Sequence, residues 1–282
     1  QQVLQEIAGY LVSGYTQAKK AFILTGVSNS GKSLFINTIE ELVGCMNCSH
    51  VRLQDLSERF ATSDLFGKTL NTSADLPHDA LKDSGNLKIL TGGNDKITAE
   101  RKGEPSFRFV NQARMLFSCN KLPRIYNDRT AIERLIVVKF ERSIEAAKRK
   151  DLLPEFKEEL DGILEWALNG LMRLIKRKFI FSDSEGAREL MLEYNKLCNP
   201  IDSFIEECCI LGPANSVGSN ALYNYYLRWA EESGLRKLAL NSFVSELALR
   251  PDIYKKRGGP GRITILYGIN VTSEFEEIKA FS

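Results

Sequence analysis

Histidine is almost absent: His50 and His78 are the only two in 282 residues. Two imidazoles cannot build a metal cluster, so metal chemistry would fall to the six cysteines. Cys45 and Cys48 form a C-x-x-C pair, but no second pair follows at ligand spacing, and Cys119, Cys198, Cys208 and Cys209 read as packed thiols. Long hydrophobic runs are also missing. Ala21 to Leu24 and Leu135 to Val138 fall far short of the roughly 20 apolar residues that span a bilayer. The opening residues lack both the basic flank and the apolar core of a secretion signal, so a cytoplasmic setting without membrane contact is expected. Neither sign of charge dominates. The net charge of +2 excludes a uniformly basic nucleic-acid binder, and any such contact must come from local patches. Three stand out: Arg101 and Lys102 with Arg108 and Arg114, Arg173 to Lys178, and Lys255 to Arg262.

What is present is enough apolar sequence, 43%, for a sizeable core in one large or two smaller domains. Val3 to Ala18 carries apolar residues at helical spacing and leads into Ala21 to Thr25, a short apolar run of the buried-parallel-strand type. After Lys32, Phe35, Ile36, Ile39, Leu42 and Val43 recur at helical intervals and stop at Gly44. Four more short runs read as strands: Val51 to Leu53, Thr69 to Ser73, Met115 to Ser118 and Leu135 to Phe140. Their alternation with helical stretches predicts an α/β fold with a mostly parallel five-stranded sheet. Ile97 to Val110 reads as an inserted β-hairpin turning at Lys102 to Pro105.

Pro154 to Lys178 and Glu185 to Leu197 have helical periodicity, and Asn199-Pro200 marks a boundary because a residue before proline avoids the helical region. Three short helical patterns follow (Ile201 to Cys209, Asn220 to Glu232, Asn241 to Leu249), then a basic Gly-rich turn and the strand-like Ile263 to Tyr267. That order predicts a winged-helix domain over residues 199–282 behind an α/β domain over residues 1–198.

The chemistry concentrates at Gly26-Val27-Ser28-Asn29-Ser30-Gly31-Lys32-Ser33, with Leu34 completing the nucleotide-contact set at the helix start. This is G-x-x-x-x-G-K-[ST] between a strand and a helix. The glycines let consecutive N–H groups face a polyphosphate, and the helix N-terminus adds partial positive charge. Lys32 is suited to the β- and γ-phosphates of ATP, and Ser33 to Mg²⁺. Asp75, after the third run, offers a carboxylate for the same ion, although Asp before Leu76-Pro77 is equally a turn signal. Asn120 ends the fourth run and suits either the orientation of an attacking water or a turn before Lys121-Leu122-Pro123.

The order Gly26 to Ser33, Gly67-Lys68 through Asp75-Leu76-Pro77, Leu87 to Asp95, Phe117 to Pro123 and Glu133-Arg134-Leu135 to Phe140 resembles the superfamily 3 helicase core. More narrowly it resembles the helicase half of phage and plasmid primase-helicases related to poxvirus replicative helicases. The resemblance spans roughly Phe22 to the C-terminus.

This likeness implies an AAA+-like ATPase and roles that spacing alone leaves open. Asp75 matches the Walker B acid, Lys88 to Asp95 the extra motif of the superfamily, and Asn120 the sensor of the γ-phosphate. Arg134 matches an arginine finger acting on a neighbouring subunit's ATP, with Arg129 as the fallback. A homo-oligomeric ring follows, typically a hexamer. The hairpin would line its channel, with Arg101 and Lys102 on single-stranded DNA, and Lys255, Lys256, Arg257 and Arg262 of the wing would meet forked or origin duplex. Movement from 3′ to 5′, replication of a virus or mobile element in the bacterial or host cytosol, and a primase domain or other replication protein as partner are also implied. The sequence departs from related ATPases in one respect. Ala74 and Leu76 flank Asp75 where a second acid is usual, so no general base is assigned. A DNA-binding initiator ATPase without processive unwinding is the alternative reading, and a small-molecule kinase a third.

Overall fold

The computed structural model describes the chain except Ala80, Lys82, Asn127, residues 146–149, Ser184, Arg236, residues 259–262 and residues 273–282. It divides into two compact units, Gln1–Asn195 and Lys196–Ser282.

In the first unit α1 (Gln2–Val12) precedes β1 (Ala21–Gly26) and α2 (Lys32–Val43). Next come β2 (Cys48–Ser49), β3 (Leu70–Ser73), α3 (Gly85–Gly92), the pair β4 (Lys96–Ala99) and β5 (Phe107–Val110), and β6 (Arg114–Cys119). The unit ends with α4 (Arg129–Glu133), β7 (Leu135–Phe140), α5 (Leu153–Glu158), α6 (Leu160–Lys176) and most of α7 (Glu185–Cys198). Five strands form one sheet in the order β2-β3-β6-β1-β7, all parallel. β1 lies between β6 and β7 and is buried on both faces, which is why its sequence is apolar without alternation. Phe22 and Leu24 pack with α1, α2 and α6, while Ile23 points to the opposite face and is equally buried. β4 and β5 pair antiparallel as a separate hairpin.

α1 and α6 cross with almost no gap. A Cβ on Gly9 would lie 2.2 Å from the Ala167 carbonyl, and one on Gly170 would lie 2.3 Å from that of Gln5. Beside the crossing, the fully buried Glu6 carboxylate accepts hydrogen bonds from Arg173 Nε (2.9 Å), Arg177 Nη1 (3.3 Å), Ser182 N (2.6 Å) and Ser182 Oγ (2.8 Å).

Two expected elements differ. The second strand is Cys48–Ser49, not Val51 to Leu53: Val51 instead bonds to the Asn71 side chain through both its N–H and its carbonyl (2.9 Å each), which ends its part in the ladder. The first helix stops at Val12, where Ser13 caps it by donating its Oγ to the Tyr10 carbonyl. Among the described helices none is long and apolar enough to cross a membrane.

The second unit runs α8 (Pro200–Cys208), β8 (Cys209–Gly218), α9 (Ser219–Glu232), α10 (Leu240–Leu247), β9 (Tyr254–Gly258) and β10 (Ile263–Val271). β10 is central in a three-stranded antiparallel sheet ordered β8-β10-β9. Phe204, Tyr226, Trp229 and Phe243 share its core with Leu266 and Ile269, and Tyr226 and Phe243 stack with centroids 4.7 Å apart. β8 was not legible in the sequence. Gly212, Pro213 and Asn215 break its pattern, and the ladder shifts register between Tyr267 and Ile269 where they bulge.

Candidate nucleotide site and nucleic-acid interface

β1 delivers Gly26 to the carboxyl edge of the sheet, where open parallel sheets place their ligands. Gly26 has φ 131°, and a Cβ there would stand 2.1 Å from the Phe140 carbonyl at the end of β7. Only glycine allows that approach. Asn29 (φ 58°) and Gly31 (φ 96°) complete the reversal, and α2 begins directly after Gly31. The loop is braced from outside. Ile144 N–H donates to the Asn29 carbonyl (2.9 Å), and Ser143 Oγ donates to that of Ser28 (3.0 Å). Sequence reasoning missed this brace, since it depends on where the chain goes after β7.

Lys32 is buried at the heart of the loop, 5% exposed. Its Nζ donates to the carbonyls of Val27 (2.8 Å) and Gly26 (2.9 Å), to Asn120 Oδ1 (3.2 Å) and to Ser30 Oγ (3.5 Å). Every one of these acceptors is neutral, so the ammonium's full charge remains available to an anion. Ser33, Val27, Ser28 and Asn29 are exposed around it, and Leu34 is half-buried.

The next strands supply two of the remaining candidates. β6 pairs with β1 in the register Thr25 to Cys119, which sets Asn120 beside Gly26. β3 pairs with β6, and Leu76 N–H donates to the Ser118 carbonyl (2.8 Å). Asp75 N–H reaches Ser118 Oγ (3.4 Å), and Asp75 is exposed with φ 53°. Lys32, Asn120 and Asp75 therefore lie at the same edge of three neighbouring strands. The Cys119 thiol registers both charges: burial raises its pKa, Lys32 opposes the rise and Asp75 adds to it.

An apolar cavity of about 480 Å³ adjoins the loop, lined by Gly31, Leu34, Phe35, Phe156, Glu159 and Trp166, among others. The aromatic residues of α5 and α6 had no functional reading from sequence.

Arg134 lies elsewhere. Its carbonyl accepts the Ala21 N–H at the start of β1, five residues before Gly26, which places it at the opposite edge of the sheet from the loop. At about 3.3 Å per residue the two edges are roughly 17 Å apart. Its Nη1 donates to the Lys88 carbonyl (2.7 Å) and Thr91 Oγ1 (2.9 Å). Lys88 in turn pairs with Asp128 at 2.8 Å. Burial works to raise the Asp128 pKa, but Lys88, Ser84 and the Ala131 N–H together hold it below the usual carboxylate value. Arg129 is exposed and bound to Glu133 at 3.1 Å.

In the hairpin, residues 100–106 join β4 to β5. Arg101 caps the Phe107 ring at 5.4 Å and pairs with Glu104 at 3.7 Å, whereas Lys102 is exposed with no ion-pair partner among the described residues. Phe66 packs edge-on against Phe107 and Phe109 of β5, with Phe107 in the last strand pair before the turn. Arg114 does not join this basic surface. It is 5% exposed, because it opens a strand buried along its whole length. In the second unit Lys255, Lys256 and Arg257 are exposed on β9, the edge strand; Arg262 and the turn before it lie outside the described residues.

Two stretches of the chain match known families. Residues 24–134 match a family of unknown function, DUF5906, and residues 197–256 match the poxvirus D5 protein-like family. The fold is also that of solved structures. The apo structure of the NrS-1 C-terminal region aligns over 95% of this chain and 71% of its own at TM-score 0.55 and 11% identity. Its A form aligns over 94% and 71% at TM-score 0.54 and 11% identity. No curated protein matches. The first family match spans the loop, Asp75, Asn120 and Arg134 in one piece, and the second ends within β9, at Lys256.

Proposed function

We propose that the chain is the motor part of an ATP- and Mg²⁺-dependent DNA helicase of a virus or mobile genetic element, of the primase-helicase type. The observation that carries the reading is the buried Lys32 ammonium, surrounded by neutral acceptors only, with Asn120 and Asp75 at the same sheet edge. A phosphate chain entering this loop would meet the free N–H groups at the start of α2, and Lys32 would exchange its carbonyl partners for phosphate oxygens. Ser33 and Asp75, both exposed there, suit Mg²⁺, which supplies charge neutralisation for phosphoryl transfer. Asn120, beside the Lys32 ammonium, would orient the attacking water. The cavity beside Gly31 suits the base, with Trp166 and Phe156 as stacking faces.

An AAA+-like assembly is supported by the strand order and by the position of Arg134. That side chain is too far from its own loop to act there, so a phosphate contact requires a second subunit and hence a ring such as a hexamer. The exposed Lys102 at its hairpin turn, without an ion-pair partner among the described residues, supports sequence-independent contact with single-stranded DNA. A winged-helix reading of the second unit rests on its helix-strand-helix-helix-strand-strand order and the basic edge strand, suited to duplex phosphates. Unwinding of 3′- and 5′-tailed duplexes, with the protein's mass measured with and without ATP, tests the reading. Unwinding of the 3′-tailed substrate by an ATP-dependent oligomer is expected. DNA-stimulated hydrolysis without strand separation would favour an initiator instead, and a persistent monomer would remove the role of Arg134 in trans.

A further inference from the structure

Arg114 poses a problem that the nucleotide site does not solve. Its Nη1 donates to the Gln112 carbonyl at 2.6 Å, but Nε and Nη2 are buried with no acceptor among the described residues. Unpaired buried guanidinium N–H groups are costly, and both atoms are closed to water here, so a turn of the guanidinium toward an anion in the adjoining cavity would relieve that cost. The residue lines a cavity of about 430 Å³ at the amino edge of the sheet, between the end of α1, the base of the hairpin and the turn after α3. Around it stand Ser13, Thr16, Thr69, Asn94 and Gln112, all neutral and all able to hydrogen-bond. No Asp or Glu lines it among the described residues.

We propose that this cavity binds a phosphate group, with Arg114 as its charge partner. The chemistry fits an oxyanion with several acceptor oxygens: one fixed positive charge, neutral hydroxyl and amide groups around it, and room for the anion with its bridging waters. The site is separate from the Gly26 to Ser33 loop. Arg114 directly precedes Met115, which pairs with Ala21 at the far end of β1. A phosphate here is therefore not the one held beside Lys32. Two sources share the chemistry, a phosphodiester of single-stranded DNA passing the hairpin base and free phosphate. Only the DNA arm leans on the helicase reading.

The test is peptide-resolved amide hydrogen exchange of the full chain carrying Lys32→Ala, which removes the loop's own anion binding. It is run with inorganic phosphate, with a short thymidine oligonucleotide, and with chloride at matched ionic strength. The expected result is protection of residues 12–16, 93–94 and 110–114 by at least one of the two phosphates, lost when Arg114→Met is added. Protection by free phosphate alone makes the ligand a small anion, and protection by the oligonucleotide alone makes it a phosphodiester. No protection with either, or protection that survives Arg114→Met, overturns the proposal. Should Arg114→Met fail to fold, Thr16→Val with Asn94→Ala removes two neutral ligands and must weaken the protection; undiminished protection overturns it equally.

Discussion

Lys32 and Asn120, 88 positions apart in sequence, meet through a 3.2 Å hydrogen bond from Nζ to Oδ1. The contact ties the start of α2 to the end of β6, so any movement of the ammonium toward a phosphate is felt at Asn120. Lys32→Ala should abolish ATP hydrolysis. Asn120→Ala should keep nucleotide affinity within a few-fold while lowering kcat on the order of 10²-fold, the usual cost of removing one preorganised polar group from a transition state. Equilibrium binding of a fluorescent ATP analogue beside steady-state turnover separates the two. Loss of affinity and turnover in parallel for Asn120→Ala would make it a binding group.

Lys102 predicts a split between hydrolysis and movement. It is exposed at the hairpin turn, outside the sheet edge that carries the proposed ATP site, so Lys102→Ala should leave basal ATPase unchanged and abolish unwinding. Removing one lysine–phosphate pairing should also reduce the slope of log affinity against log salt by about 0.7 for a single strand. Unwinding at the wild-type rate would remove the hairpin from the DNA path.

Trp166 and Phe156 line the cavity next to Gly31. If the base sits there, Trp166→Ala should weaken ATP binding by roughly 10-fold, since a missing stacking face costs about 0.5–1.5 kcal/mol beyond its area. Inorganic tripolyphosphate, which has no base, should bind both proteins alike. Equal weakening for the two ligands would point to a disturbed loop.

Glu6 predicts an acid-sensitive fold. Burial opposes its ionisation, but Ser182 and Arg173 more than compensate, and its pKa lies below the ordinary value of 4.5. A carboxylate depressed in the folded state contributes stability that is complete above its unfolded pKa and lost as pH falls through the folded one. The first unit should therefore lose stability below about pH 4.5. Glu6→Gln should cost about 1.5–3 kcal/mol near neutrality, the worth of hydrogen bonds to a charged group, because Arg173 and Arg177 both keep part of their side chains open to water, and it should flatten the acid limb. Urea melts at several pH values, followed by a probe in the first unit, provide the measurement.

Much of this arrangement was legible in sequence because local chemistry dictates it. Gly26 to Ser33 announces its loop, Leu135 to Phe140 its strand, and Ile97 to Val110 its hairpin. What escaped was set by long-range packing. The Ser143 brace, the aromatic cavity of α5 and α6, and the burial of Arg114 arise where distant segments meet, and no spacing rule encodes them. β8 escaped for another reason: its ladder tolerates Gly212 and Pro213 only because they bulge away from β10.

Arg134 and Lys32 together give the sharpest test of shared sites. Arg134 holds the end of α3 through the Lys88 carbonyl and Thr91, so its truncation risks a structural loss as well as a catalytic one. Mixing separates these. Arg134→Ala and Lys32→Ala subunits should each be inactive alone. In a mixed ring some interfaces join an intact loop to an intact arginine, so ATPase should reappear at a fraction of wild type that varies with the mixing ratio. If Arg134 acts only within its own chain, the Lys32→Ala subunits have no loop and the Arg134→Ala subunits no arginine, and activity stays absent at every ratio. Measuring turnover across the ratios, with mass confirming that both subunits enter one assembly, decides between the two.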